Sequence, residues 1–267
     1  MGGDRVPDAW EAGPAYERYV GRWSRRVAPR FLDWLDARDG LRWIDVGCGT
    51  GALSAAIVER CAPRSVDGAD PSPGFLESAT AELGSRVTFH LAEAAALPFD
   101  DRSVDVVVSG LMLNFVPAAA AALTEMRRVA VGEGVVAAYV WDYAGRMEMM
   151  RRFWDAAAEV DPAAARFDEA TRFPICTPAG LEEAFEAAGF REVVTGSIEI
   201  QTRFTGFDDF WAPFLGGQGA APAYAMSLGA TQRERIRDAL DRRSPRDPDG
   251  GISMVARAWT VRGLAVR

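Results

Sequence analysis

The chain has 267 residues, 49% of them apolar, enough for one large α/β domain or a domain carrying an inserted cap. Its net charge of −8 argues against a nucleic-acid partner held through phosphate contacts. Three scattered cysteines, Cys48, Cys61 and Cys176, argue against a disulfide framework or a Cys-x-x-Cys zinc site and fit a reducing cytoplasm.

The N-terminus lacks a charged-then-apolar leader pattern, and no run reaches about 18 apolar residues, so no membrane span is expected. Residues 1–13 are polar and glycine-rich and are expected to fray. Tyr16, Tyr19, Trp23 and Val27 then recur three or four apart, which predicts a helix running to Leu35. So aromatic a helix is expected to fold over a ligand, making 14–35 a lid. Strands at 41–46, 64–69, 87–91, 104–109 and 134–141 follow, with helices at 51–61, 73–83 and 118–130 between them. That alternation predicts a Rossmann-like, mostly parallel sheet with helices on both faces.

After Trp141 the pattern changes. Residues 144–172 are rich in Met, Phe and Trp and carry no strand signal. A helix at 178–188 ends at Gly189, which suits a left-handed cap, and a strand follows at 190–198. Residues 203–250 form a second irregular stretch, and "ISMVARAWTV", 252–261, supplies a seventh strand. The two irregular stretches read as cap insertions within a single domain, 1–267.

The chemistry gathers at "WIDVGCGTGALS", Trp43 to Ser54. In an open parallel sheet, ligands bind beyond the carboxyl ends of the strands, where the strand order reverses. Gly47, Gly49 and Gly51 follow the first strand there, and their missing side chains let backbone approach a ligand. The next helix points its partly positive end at the same place. Gly47, Gly49 and Ala52 also satisfy G-x-G-x-x-A, a weak signal for a dinucleotide. The acids discriminate: Asp45 precedes the turn, Asp70 ends the second strand and Glu93 follows the third. Three carboxylates repel a pyrophosphate. They suit a ligand with an ammonium, a sulfonium and a free ribose diol, which S-adenosylmethionine combines.

"IDVGCGTGALS", "DGADPSP" (67–73), "AEAAALPFDDRSVDVVVS" (92–109) and "LTEMRRVAVGEGVV" (123–136) together resemble the class I S-adenosylmethionine-dependent methyltransferases, most nearly the type 11 subgroup similar to ubiquinone/menaquinone-biosynthesis enzymes. The resemblance spans 41–141 well and the elements after 178 in outline. It implies that Gly47, Cys48, Gly49 and Gly51 line the methionine end, with Asp45 near the ammonium. It implies that Asp70 takes both ribose hydroxyls, that Glu93 and the Ala94 N–H meet the adenine, and that Ser109 ends the strand under the transferring methyl. Two departures stand out. Glu93 replaces the family's frequent Asp, and Gly132-Glu133-Gly134 replaces its frequent Pro-Gly-Gly.

The acceptor is expected between the loops after the fourth and fifth strands, at Asn114, Phe115 and Trp141, roofed by 146–154 and 210–219 with Trp211. Asp142 or Tyr143 is the candidate to orient or deprotonate a hydroxyl; equally, Trp141 to Tyr143 anchor the insertion. The Met, Phe and Trp content of the roof suits an apolar or aromatic small molecule, although core packing explains most of it. His90, the sole histidine, reads as structural or adenine-proximal before catalytic, and Cys48 as packing before nucleophile. Asp208-Asp209 has no partner at ligand spacing, so it marks a helix start near Phe207 and no metal is expected. "FLGGQG", 214–219, reads as a lid loop. The leading function is methyl transfer to a small molecule. The alternatives are a cofactor-binding protein of this fold catalysing a rearrangement, and a nicotinamide oxidoreductase.

Overall fold

A computed structural model describes residues 17–217 and 219–266. The expectations for residues 1–13, for Tyr16 and for Gln218 of the lid loop lie outside the described residues. The elements in chain order are a π-helical turn (Glu17–Gly21), α1 (Arg22–Leu35), β1 (Arg42–Val46), α2 (Ala52–Arg60), β2 (Ser65–Asp70), α3 (Pro73–Leu83), β3 (Thr88–Leu91), β4 (Val104–Gly110), α4 (Ala119–Val129) and β5 (Ala130–Trp141). Then come α5 (Glu148–Val160), α6 (Glu169–Arg172), α7 (Pro178–Ala187), β6 (Arg191–Phe204), α8 (Phe207–Trp211), α9 (Ala220–Ser227), α10 (Ala230–Arg243) and β7 (Ile252–Leu264).

The seven strands form one sheet in the order β3-β2-β1-β4-β5-β7-β6. The first five are parallel to one another, and β7 runs antiparallel to β5. This is the Rossmann-like arrangement the alternation predicts. The central strands are apolar runs because helices cover both faces, so Val106, Val107 and Val108 of β4 are fully buried. The order reverses between β1 and β4, and Asp45 of β1 lies in register with Gly68 of β2 on one side and Val108 of β4 on the other. Chain chemistry sets the helix starts. Ser72 accepts from the Phe75 N–H at 3.4 Å, and Pro73 opens α3, where a missing N–H costs nothing. Gly189 follows α7 at φ +83, as the left-handed cap requires.

Contacts divide the chain into two compact units. One holds Ser24–Trp141, Ile175–Ile198 and the chain from Ala258; the other holds the chain up to Trp23, Asp142–Pro174 and Glu199–Arg257. The first, the sheet unit, has its core in Phe31, Ile44, Val46, Ile57, Leu123, Met126 and the β4–β5 valines. The second is mainly helical and gathers both stretches expected as insertions. Its core is aromatic: Phe153 stacks on Phe214 at 4.5 Å, Phe204 lies 5.0 Å from Phe210, and Trp154 lies 5.5 Å from Tyr224. Each such ring contributes about 1.5–3 kcal/mol by burial. Tyr19 and Trp23 belong to this core, edge-on to Phe214 and Phe204.

Three expectations need correction. Residues 203–250 are not irregular but hold α8, α9 and α10, and α10 packs on α5, where Glu159 pairs with Arg242 and Arg243 at 3.2 and 2.5 Å. β6 continues to Phe204, burying Ile198, Ile200, Thr202 and Phe204 on one face. β5 begins at Ala130, with a register irregularity before Val135 that contains Glu133 at φ +68. That bulge stands where the Gly132-Glu133-Gly134 departure lies.

Candidate functional site

The carboxyl ends of β1, β2 and β4 bring most of the expected cofactor residues together within the sheet unit. Gly47, Gly49 and Gly51 all have positive φ, at +72, +55 and +87. Side chains rarely adopt that conformation, so the turn needs glycine for its shape. The turn is also pinned. The Gly47 and Cys48 N–H groups donate to the Ala69 carbonyl at 2.7 and 3.1 Å, and the Gly49 N–H donates to Asp70 Oδ2 at 2.9 Å. A Cβ at Gly47 would stand 2.3 Å from Met112 Cγ, whereas one at Gly49 meets nothing within 4 Å among the described residues.

The acids crowd one another. Asp45 is 1% exposed, and its Oδ2 accepts from the Ser54 hydroxyl at 2.7 Å, but its buried Oδ1 has no partner among the described residues. Burial, with Asp70 adding to it against the opposing Ser54 bonds, pushes the Asp45 carboxyl up to about 7. Asp70 closes the other side, its Oδ1 accepting from the Ser72 N–H at 2.9 Å. Burial raises its pKa, the Ser72 and Gly49 N–H groups oppose the rise, and Glu93 adds to it. Glu93 is exposed, Ala94 is half-buried, and the Glu93 carbonyl accepts from the Ala96 N–H at 3.0 Å.

On β4, Ser109 is fully buried, its Oγ without a partner among the described residues. The turn beyond it carries Asn114, 8% exposed, with neither amide atom hydrogen-bonded among the described residues, and the half-buried Phe115, whose N–H donates to the Met112 carbonyl at 2.8 Å. Leaving a buried polar group unmade costs about 1–3 kcal/mol. Asp45 and Asn114 thus leave buried polar atoms without a partner among the described residues near the carboxyl ends of β1 and β4, whereas Ser109, next to the register partner of Asp45, points to the opposite face of the sheet.

Other candidates are otherwise engaged. Cys48 is buried with its Sγ over Gly68, and burial beside Asp45 and Asp70 holds its thiol well above the usual range, so it packs rather than attacks. His90 Nε2 lies 2.8 Å from Asp67 Oδ1, and its ring meets Phe99 edge-on, as a structural histidine does. Trp141 ends β5 at 2% exposure, paired with Ala258.

In the helical unit, Asp142 accepts from the Gly145 and Arg146 N–H groups at 3.0 and 2.7 Å and from both Nε and Nη2 of Arg257 at 2.9 and 2.7 Å. A carboxylate so committed holds its turn, and this bonding supports the anchoring alternative over a base. Tyr143 is buried, its ring 6.0 Å from Phe173. Trp211 is buried 6.0 Å from Phe214, at the end of the helix that starts at Phe207. Asp209 caps that start by accepting from the Thr205 N–H at 2.9 Å. Among the described residues, no cluster of three or more His, Cys, Asp or Glu could hold a metal, and no helix is long and apolar enough to cross a membrane.

The methyltransferase domain family matches residues 44–138, the span that carries this geometry. Over 194 residues the chain is 30% identical to the malonyl-[acyl-carrier protein] O-methyltransferase of Geobacter sulfurreducens, covering 71% of each chain. The chain belongs to the class I S-adenosylmethionine-dependent methyltransferases. The demethylmenaquinone methyltransferase of Staphylococcus aureus strain JH9 is 35% identical over 117 residues, 43% of this methyltransferase and 47% of that relative. Its match thus spans under half of that relative's length. The crystal structure of YcgJ from Bacillus subtilis superposes with a TM-score of 0.59 at 17% identity, over 92% of this chain and 99% of that one, and so shares the fold.

Sequence reasoning missed three residues that shape this methyltransferase's site. Ser54 holds Asp45, Met112 lies over Gly47, and the Tyr139 hydroxyl sits where a Cβ on Gly110 would come within 2.5 Å of it. Ser54 follows Asp45 by nine positions along a strand, turn and helix, which a motif reading could have flagged. Met112 and Tyr139 are brought in by tertiary packing alone.

Proposed function

We propose that this methyltransferase takes its methyl group from S-adenosylmethionine and passes it to a small organic molecule with an apolar or aromatic body. The observation that carries the donor is the buried, unpartnered Asp45 Oδ1 beside the pinned glycine turn that Gly47, Gly49 and Gly51 shape and Asp70 closes. These residues fit the cofactor. Asp45 offers a carboxylate to its ammonium, Asp70 retains lone pairs for the ribose diol, and Glu93 stands at the adenine end. The bound cofactor supplies an activated sulfonium methyl. The chain's own task is then to hold the donor, align the acceptor and keep water out. We place Asn114 and Phe115 on the acceptor side, with Asn114 orienting its polar atom.

The similar proteins are named for malonyl on acyl-carrier protein and for demethylmenaquinone, which supports a small acceptor group. Calorimetry with S-adenosylhomocysteine and, separately, NADH tests the donor. S-adenosylhomocysteine should bind and NADH should not. Asp70→Ala should weaken that binding at least about tenfold, or 1.4 kcal/mol. Tight NADH binding, or unchanged affinity in a folded Asp70→Ala protein, would overturn the reading.

A further inference from the structure

The helix α2 buries Leu53, Ser54, Ala56 and Ile57, and in that row Ser54 is the polar member. A hydroxyl on such a face costs stability unless it is bonded. Its bond goes to Asp45 Oδ2 at 2.7 Å, with both residues buried. Gly51, which precedes α2, offers no side chain to cap the helix. The Ser54 N–H, in the first turn, joins the hydroxyl in favouring the Asp45 carboxylate. Asp70, the neighbouring acid, is held differently, by the Gly49 and Ser72 N–H groups. Asp45 Oδ1 is left without a partner among the described residues.

Taking S-adenosylmethionine as the methyl donor, as proposed above, we infer that Ser54 is a positioning residue for it: Ser54 holds Asp45 by one oxygen and keeps that residue's negative charge available to the donor's ammonium. The charge acts on the turn without an open path to the carboxylate. Cys48 within the turn responds to Asp45, and Asp70 beside the turn acts back on Asp45. From the other sides, β4 meets Asp45 in register with Val108, and α2 meets it with Ser54. Burial pushes the Asp45 carboxyl up to about 7 against the Ser54 hydroxyl and N–H, and Asp70 adds to the rise. An arriving ammonium favours the ionised form, so below pH 7 its binding drives the Asp45 proton into solvent. Without the Ser54 hydroxyl that proton is held more tightly, and the same binding needs a higher pH.

The test is calorimetry on the full chain with two ligands. S-adenosylhomocysteine carries the ammonium; 5′-methylthioadenosine shares its adenosine and lacks the amino-acid end. The parent should bind S-adenosylhomocysteine more tightly as pH rises from about 6 to about 8.5. At about pH 6 that binding should release about one proton, read by comparing buffers of different ionisation enthalpy. Methylthioadenosine should show neither effect. Ser54→Ala should move the pH midpoint for S-adenosylhomocysteine up by about one unit, a loss of about fivefold at pH 7 that nearly closes by about pH 8.5. Its affinity for methylthioadenosine should stay unchanged, which also shows that the variant is folded. Equal losses for the two ligands, a loss that does not change with pH, or the absence of proton release would overturn the role of Ser54 and leave the donor reading standing. Failure of both ligands to bind the parent would overturn the donor reading and this role with it.

Discussion

Asp45 holds an acid where its own charge is disfavoured. In an unfolded chain it titrates near the ordinary value of about 4; in the fold, burial raises it to about 7. Between those values the unfolded chain has lost the proton that the folded chain keeps, so stability falls as pH rises and levels off above 7. Asp45→Asn removes this dependence. Thermal melts should show the variant gaining on the parent more at pH 8 than near pH 5, while its affinity for S-adenosylhomocysteine drops. A difference that stays flat with pH would mean the carboxylate is ionised throughout. The residue scale is also where sequence and structure agree most closely. Gly47, Gly49, Gly51 and Asp70 are legible because backbone shape and a strand end fix their places. Asp142 is not, because its commitment to Arg257 spans 115 positions of the chain.

At the scale of elements, the loop between β3 and β4 carries Glu93 and Ala94 and is tied down from α4. Arg128 donates to the Phe99 and Leu97 carbonyls at 2.9 and 3.2 Å and to Glu125, whose other contact is the Leu97 N–H at 2.8 Å. Arg128→Met should cost about 1–2 kcal/mol of stability. Amide exchange should quicken at residues 92–103 far more than in β1; uniform quickening would show that the tie serves the whole unit. The regular part of the sheet was readable because strands and helices alternate with clear periods. The missed helices have physical reasons. In α10 only Ile236, Ala239 and Leu240 are buried, so its apolar stripe is one short patch. In α9 nearly every residue from Ala220 to Ala225 is buried, so no amphipathic period exists to read. In β6 the alternation past Ile198 was present, but Thr202 interrupts its apolar face.

The whole molecule joins its sheet late. Val135–Trp141 of β5 pairs with Ala258–Leu264, nearly the last residues described, and those β5 residues are almost all fully buried. A chain cut after Gly251 should therefore expose an apolar strand edge and associate. Sedimentation would check this, and a monodisperse, folded truncated protein would show that β5 does not need its cover. The same pairing bears on synthesis. Trp141 leaves the ribosome well before Ala258, and the 116 residues between them take roughly 6–23 s at about 5–20 residues per second. For that interval the nascent protein carries a sticky border and an unfinished second unit, whose final piece ends at Arg257. Slow translation prolongs the hazard instead of relieving it. A synthetic peptide of residues 252–266, present while the chain is made, should occupy the border early and raise the soluble yield.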